Sequence, residues 1–212
     1  MKDKFAHFFR LGRQLYIKRP FDTLICYVKA HYWGVEIGNK NIFIGTLKIR
    51  KTPGSRIRFG SGIKILSSFS SNLHGLNRKS MLSTLKPNAQ LLIGDNVGMS
   101  GCVICASNYV EIKDRVMIGA NCTITDTDSH SIFYKERHPD YFNINTVNFK
   151  EQVKTKQIII EEDVFIGMHS LVLKGSHIGK GSVIAAGSIV TGYIPEGVIA
   201  AGQPARVIKK IE

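Results

Sequence analysis

The segment Thr125-Asp126-Thr127-Asp128-Ser129-His130-Ser131 holds the residues of this chain best suited to proton transfer. A neutral imidazole accepts a proton near physiological pH, and a carboxylate on its other ring nitrogen fixes the tautomer and raises its basicity. Asp126 and Asp128 are both close enough in sequence to His130 for one of them to orient it. The arrangement suits a general base that takes a proton from an attacking hydroxyl. Spacing alone also permits a solvated loop histidine beside turn-forming aspartates.

Cysteine offers a second chemistry, because a thiolate can carry a group covalently. None of Cys26, Cys102, Cys105 and Cys122 has a neighbouring histidine to activate it. Cys102 and Cys105 form a CxxC, but no second pair or matching histidine spacing completes a zinc site. They read as reduced, small apolar wall residues, and no metal site is assigned. The close histidine pairs, His130 with His138 and His169 with His177, are each eight apart.

The elements that position His130 follow from a six-residue period. Branched apolar residues recur at Ile160, Ile166, Val172, Ile178, Ile184 and Val190, again at Ile112, Ile118 and Ile124, and more loosely at Ile37, Phe43 and Ile49, then Ile57 and Ile63, then Ile93 and Met99. A helix repeats its apolar face at about 3.6 residues and a half-buried strand at 2, so neither explains the pattern. A short strand followed by a corner does. Three such units make one turn of a triangular prism with the recurring residues stacked on its axis. Ser170, Ser176, Ser182 and Ser188 suit the corners and inner wall, and Gly94, Gly119, Gly167 and Gly179 stand where a β-carbon would crowd the turn.

The units IGKGSV and IAAGSI, together with the closing GQPARVIKKI, resemble the hexapeptide-repeat acyltransferases, well over Ile93 to Ile211 and weakly over Val35 to Ile63. The resemblance implies an all-β, left-handed parallel β-helix, against the usual right-handed crossover. It implies an acetyl-CoA-dependent O-acetyltransferase acting on a sugar or glycan precursor of exopolysaccharide, capsule or lipopolysaccharide synthesis. In it His130 is the base, with Asp128 and Asp126, and the hydroxyl attacks the thioester directly. It further implies a homotrimer with the pantetheine arm in the groove between solenoids. Phe165 stands for a common tryptophan there, Ala186 and Thr191 line the groove through their backbone, and Arg206, Lys209 and Lys210 serve the nucleotide and its phosphates. Gly192, where many members have lysine, and Met168, where many have a small polar residue, depart from the pattern.

Three segments interrupt the period. Residues 1–34 read as a basic amphipathic helical segment, with Phe5, Phe8, Phe9 and Leu15 near one face and +5 net charge over residues 1–30. It has two roles open to it, contact with an anionic membrane surface or a cap on the solenoid. Residues 35–212 form the β-helix domain, with loops at 66–88 and 128–157. His74 and Arg78 in the first loop are candidates to touch an acceptor. The length of the second favours function, and His138, His169 and His177 read as loop or wall residues.

The whole chain carries +13, which favours polyanionic partners. Without basic and aromatic residues interleaved on a strand surface it does not read as a nucleic-acid binder. No stretch approaches the length needed to span a bilayer, and the N-terminus lacks a secretory pattern, so the expected location is cytoplasmic, at the inner face of the membrane where residues 1–34 attach. Amino-group acetylation of an amino sugar, a serine-type acetyltransferase, a non-enzymatic polyanion-binding scaffold and a γ-carbonic-anhydrase-like enzyme are the alternatives.

Overall fold

The computed structural model describes residues 4, 8–9, 12–134 and 153–211. His138, Tyr141 and Phe5 fall outside them. The described strands form three sheets of seven, eight and six strands, here sheets 1, 2 and 3. Each strand pairs in parallel with its equivalents one turn earlier and later, except that the closing strand Ala205–Lys210 folds back antiparallel on Val198–Gly202. The chain visits sheets 1, 2 and 3 in rotation, building a left-handed parallel β-helix.

The axial positions form three columns. Sheet 1 stacks Phe59, Ile93, Ile112, Ile160 and Ile178. Sheet 2 stacks Phe43, Ile65, Met99, Ile118, Ile166 and Ile184. Sheet 3 stacks Ile49, Leu82, Ile104, Ile124, Val172 and Val190. All lie in the buried core. Phe59 and Ile65, rather than Ile57 and Ile63, align with Ile93 and Met99. Ile57 and Ile63, each two residues before an axial position, are also fully buried: Ile57 lies on the same strand as Phe59, and Ile63 immediately precedes the strand of Ile65.

In the last coils that second inward position is serine. Ser170, Ser176, Ser182 and Ser188 are buried, and each hydroxyl donates to a corner carbonyl: Ser170 to Gly167 at 2.8 Å, Ser176 to Leu173 at 2.6 Å, Ser182 to Pro195 at 2.6 Å and Ser188 to Ala185 at 2.7 Å. Carbonyls turned inward at a corner have no strand partner, so the hydroxyls supply one.

Gly119 and Gly167 sit where successive corners nest. A β-carbon on Gly119 would stand 2.5 Å from the Met168 nitrogen, and one on Gly167 would overlap the nitrogen of Ala186. Backbone cannot move aside as a side-chain tip can. Gly167→Val is therefore expected to destabilise the fold by about 3 kcal/mol, read as a lowered urea midpoint, with an unchanged midpoint refuting the nesting.

The first coil is closed by α1 (Arg19–Tyr32), which follows a π-helical turn at Arg13–Lys18. It ends at Gly34, whose φ of 60° lets Gly34 N–H reach the His31 carbonyl and Val35 N–H the Ala30 carbonyl. Cys26 and Ala30 are its buried side chains. Asp22 accepts the Gly45 amide at 2.7 Å, Thr23 the Phe43 amide at 3.1 Å, and Cys26 Sγ the Leu47 amide at 3.4 Å. The helix thus covers the open end of the solenoid and occupies strand-edge donors that would otherwise template pairing. The capping face is not the aromatic one: Phe8 and Phe9 are exposed.

The first loop is shorter than 66–88. Residues 67–80 leave the coil, and Met81–Thr84 returns to sheet 3 with Leu82 on the axis. Its polar flanks hide this strand from a period based on Ile and Val.

Candidate active site

The chain leaves sheet 3 at strand Thr123–Thr125, with Ile124 pointing to the axis. Asp126 forms the corner. Its side chain is fully buried, and its two oxygens accept the amides of Ser107 at 2.6 Å, Asn108 at 2.7 Å and Tyr109 at 2.8 Å, one coil earlier. Burial pushes this carboxyl above its ordinary range, against the pull of those amides toward the charged form. Both oxygens being engaged by backbone, Asp126 holds the corner together, a role different from the orientation of His130 allowed by its sequence position.

Beyond it the neck of the long loop is closed. Thr127 pairs with Thr155 in an antiparallel bridge, Asp128 N–H donates to the Lys154 carbonyl at 3.2 Å and Lys156 N–H to the Asp126 carbonyl at 3.0 Å. Ser129 takes a φ of 63°, and its amide donates to Thr127 Oγ1 at 3.2 Å. That reversal carries His130 to the outer surface, where it is exposed. Asp128 Oδ1 meets Lys174 Nζ at 3.0 Å. The exposed Ile132, Phe133 and Tyr134 follow His130 in the chain.

The register places Lys174 there. Thr125 aligns with Leu173, which puts the next corner residue, Lys174, beside Asp126 in the following turn. The partner of Asp128 is thus 46 positions away in sequence and was missed, although the period-six alignment of Ile124 with Val172 predicts the juxtaposition.

Thr191 and Gly192 form the next corner of the same column, where the His177 amide donates to the Gly192 carbonyl at 3.1 Å. Nothing lies within 4 Å of a β-carbon placed on Gly192, so this corner is open. Ala186, exposed, occupies the corner on the other side of strand Ile189–Val190. These three therefore flank sheet 3. Phe165, 43% exposed, lies on the outer face of sheet 2, and Arg206, Lys209 and Lys210 extend exposed along the closing strand at that sheet's edge. In one chain the candidate cofactor residues thus fall into two groups on adjoining faces.

The loop at 67–80 leaves from the corner between sheets 2 and 3. Arg78 is spent on anchoring it: its Nη2 donates to the carbonyls of Asn121 at 2.6 Å and Cys122 at 3.0 Å and to Thr123 Oγ1 at 2.8 Å, and its Nε to the Gly101 carbonyl at 3.2 Å. It is a clamp on the coil that carries His130. His74 is exposed on the same loop. Both long excursions therefore border sheet 3, one at each of its corners.

His169 has a φ of 58° at a corner, and His177 Nε2 lies 3.0 Å from Glu161 Oε1 on the wall of sheet 1. Lys113, at 2.6 Å, holds the Glu161 carboxyl below its usual range, with His177 adding to the effect. Cys102 and Cys105 point to opposite sides of the coil wall. Cys102 is fully buried, its thiol pushed well up by Cys122 beside it and by burial, whereas Cys105 bonds Ser83 Oγ at 3.1 Å. Among the described residues no group of three His, Cys, Asp or Glu side chains is disposed to hold a metal ion.

Fold and repeat together define a hexapeptide-repeat protein built as a left-handed β-helix. Residues 157–192 match the family described as bacterial transferase hexapeptide (six repeats). A 2,3,4,5-tetrahydropyridine-2,6-dicarboxylate N-acetyltransferase of Clostridium perfringens is 54% identical over 54 residues, which is 26% of this chain and 23% of that relative. The chain thus spans about a quarter of the length of the curated relatives it matches. Among solved structures, a mutant of AntD, an N-acyltransferase from Bacillus cereus in complex with dTDP-4-amino-4,6-dideoxyglucose and coenzyme A, superposes with a TM-score of 0.61 at 18% identity, covering 88% of this chain and 89% of that one. A hexapeptide-repeat acetyltransferase from Vibrio cholerae complexed with acetyl coenzyme A does so with a TM-score of 0.56 at 21% identity, covering 98% and 85%. At these identities the likeness is one of fold.

Proposed function

We propose that this chain is an acetyl-CoA-dependent acyltransferase that acetylates a hydroxyl of a sugar or glycan precursor, working as a cytoplasmic homotrimer. The observation that carries the reading is the presentation of His130 on an outer corner of the β-helix, on a neck closed by Thr127–Thr155 pairing, in the same column of corners as the open one at Thr191 and Gly192. The repeat and the coenzyme A bound by the two similar structures support the donor.

In this reading the imidazole of His130 takes the acceptor proton as the hydroxyl oxygen attacks the thioester carbonyl. Backbone amides at the corners stabilise the oxyanion. Collapse breaks the carbon–sulfur bond, and the imidazolium returns its proton to the departing thiolate. Asp128, paired with Lys174, is the carboxylate at the surface of the neck and supplies negative potential for the imidazolium. The backbone of the exposed Ala186 and Thr191 suits the pantetheine arm, Phe165 its apolar flank, and Arg206, Lys209 and Lys210 the phosphates.

An amine acceptor is the second reading, favoured by the names of both the Clostridium relative and the Bacillus structure. The same base serves either nucleophile. Thiol release from acetyl-CoA, measured with hydroxyl-bearing nucleotide sugars and oligosaccharides against amino sugars, decides between them. Turnover is expected with a hydroxyl acceptor. Turnover confined to amines overturns the first reading, and no acetyl-CoA-dependent thermal stabilisation overturns both.

A further inference from the structure

α1 is apolar on two opposite faces. Cys26 and Ala30 face the first coil, whereas Ile17 in the preceding turn and Phe21, Leu24 and Val28 in the helix, spaced at four, three and four residues, lie on the outside with Tyr32 continuing the row. These five are 61% to 82% exposed. A second apolar face, turned away from the body the helix caps, is contiguous exposed apolar surface of the kind that marks an interaction site.

The charge around the stripe says which partner. Residues 1–66 hold 14 Lys and Arg against 3 Asp and Glu, so that +11 of the chain's +13 lies in the helix and the first two coils. Of these three acids, Asp22 accepts the Gly45 amide and Glu36 is bound by Arg56 at 2.7 Å, while Asp3 lies outside the described residues. Lys40, Lys48, Arg50, Arg58 and Lys64 are exposed on those coils, and Lys18 precedes the helix. Tyr16, Tyr32 and Trp33 stand at the ends of the stripe, Tyr32 and Trp33 edge to face at 5.9 Å. Aromatic rings with a polar edge favour the boundary between hydrocarbon and water. No described helix is long and apolar enough to cross a membrane.

We infer that the outer face of α1 is a membrane-docking surface for anionic lipid bilayers: the apolar row enters the headgroup boundary, and the cations of the first two coils are drawn to the negative surface. The inference stands independently of the acyl-transfer reading, since it rests on the end of the solenoid away from His130.

The test is flotation of the full chain with phosphatidylcholine vesicles, with and without phosphatidylglycerol. Binding is expected to be at least about tenfold tighter to the anionic vesicles and to weaken as salt is raised. Leu24→Glu/Val28→Glu alters only exposed positions and is expected to abolish binding while leaving the circular dichroism spectrum unchanged. Equal binding to both vesicles, no binding to either, or undiminished binding by the double variant overturns the inference. So does loss of oligomeric state in the double variant by analytical ultracentrifugation, which would make the face an interface between copies.

Discussion

His130→Ala is expected to lower acetyl transfer by at least about 100-fold, the low end of what a positioned base contributes, while leaving acetyl-CoA binding intact. The side chain is exposed at the top of a reversal whose geometry comes from Ser129 and from the Thr127–Thr155 bridge. Its removal therefore takes away a proton acceptor without opening the core. The measurement is thiol release for turnover alongside acetyl-CoA-dependent thermal stabilisation for binding. Wild-type turnover by the substituted enzyme would remove His130 from the mechanism, and lost acetyl-CoA stabilisation would recast it as a binding residue.

The second large effect belongs to Asp126. Truncation to alanine removes a fully buried carboxylate and strips acceptors from the amides of the buried Ser107, the exposed Asn108 and the half-buried Tyr109. A buried donor left without a partner costs about 1–3 kcal/mol, and stranding the three together is expected to cost about 4 kcal/mol. At roughly 2–4 °C per kcal/mol for a chain of this size, the melting temperature should fall by about 12 °C. Asp126→Asn separates this role from catalysis. Its amide nitrogen would face the backbone donors that one carboxylate oxygen now satisfies, so it too should lose stability, with the pH profile of turnover unmoved. A shifted pH profile at unchanged melting temperature would return Asp126 to the proton-transfer machinery.

The last coils are legible in the sequence because their units are uniform: from Ile160 to Val190 every sixth residue is an axial Ile or Val. Legibility falls where two inward positions share the burial. Ile57 with Phe59 and Ile63 with Ile65 are chemically equivalent choices, and only the register against Ile93 and Met99 picks between them. The strand Met81–Thr84 is hidden for a related reason, since Leu82 is its one branched apolar residue and polar Ser83 and Thr84 follow it.

At the site, the position of His130 followed from the place where the period stops, but the partners of the flanking carboxylates did not. Asp126 binds amides 17 to 19 positions earlier, Asp128 binds Lys174 well downstream, and Arg78 reaches Asn121, Cys122 and Thr123 from another loop. Such contacts join neighbouring turns of the helix, and sequence distance hides them until the turns are stacked. The N-terminal segment is a different case: its amphipathic character is visible, yet which face meets the solenoid depended on small residues, Cys26 and Ala30, rather than on the aromatic ones.

The parallel stacking gives the molecule a built-in ruler. In sheet 3 the column from Ile49 through Leu82 and Ile104 to Ile124 takes three steps, each about 4.8 Å. The corner that bears His130 therefore stands roughly 14 Å along the axis from the coil that α1 closes. Because each coil bonds only to its neighbours, that height is set by counting turns. A whole coil inserted or removed between them would move the two ends apart or together by one fixed increment and leave the contacts within each end as they are.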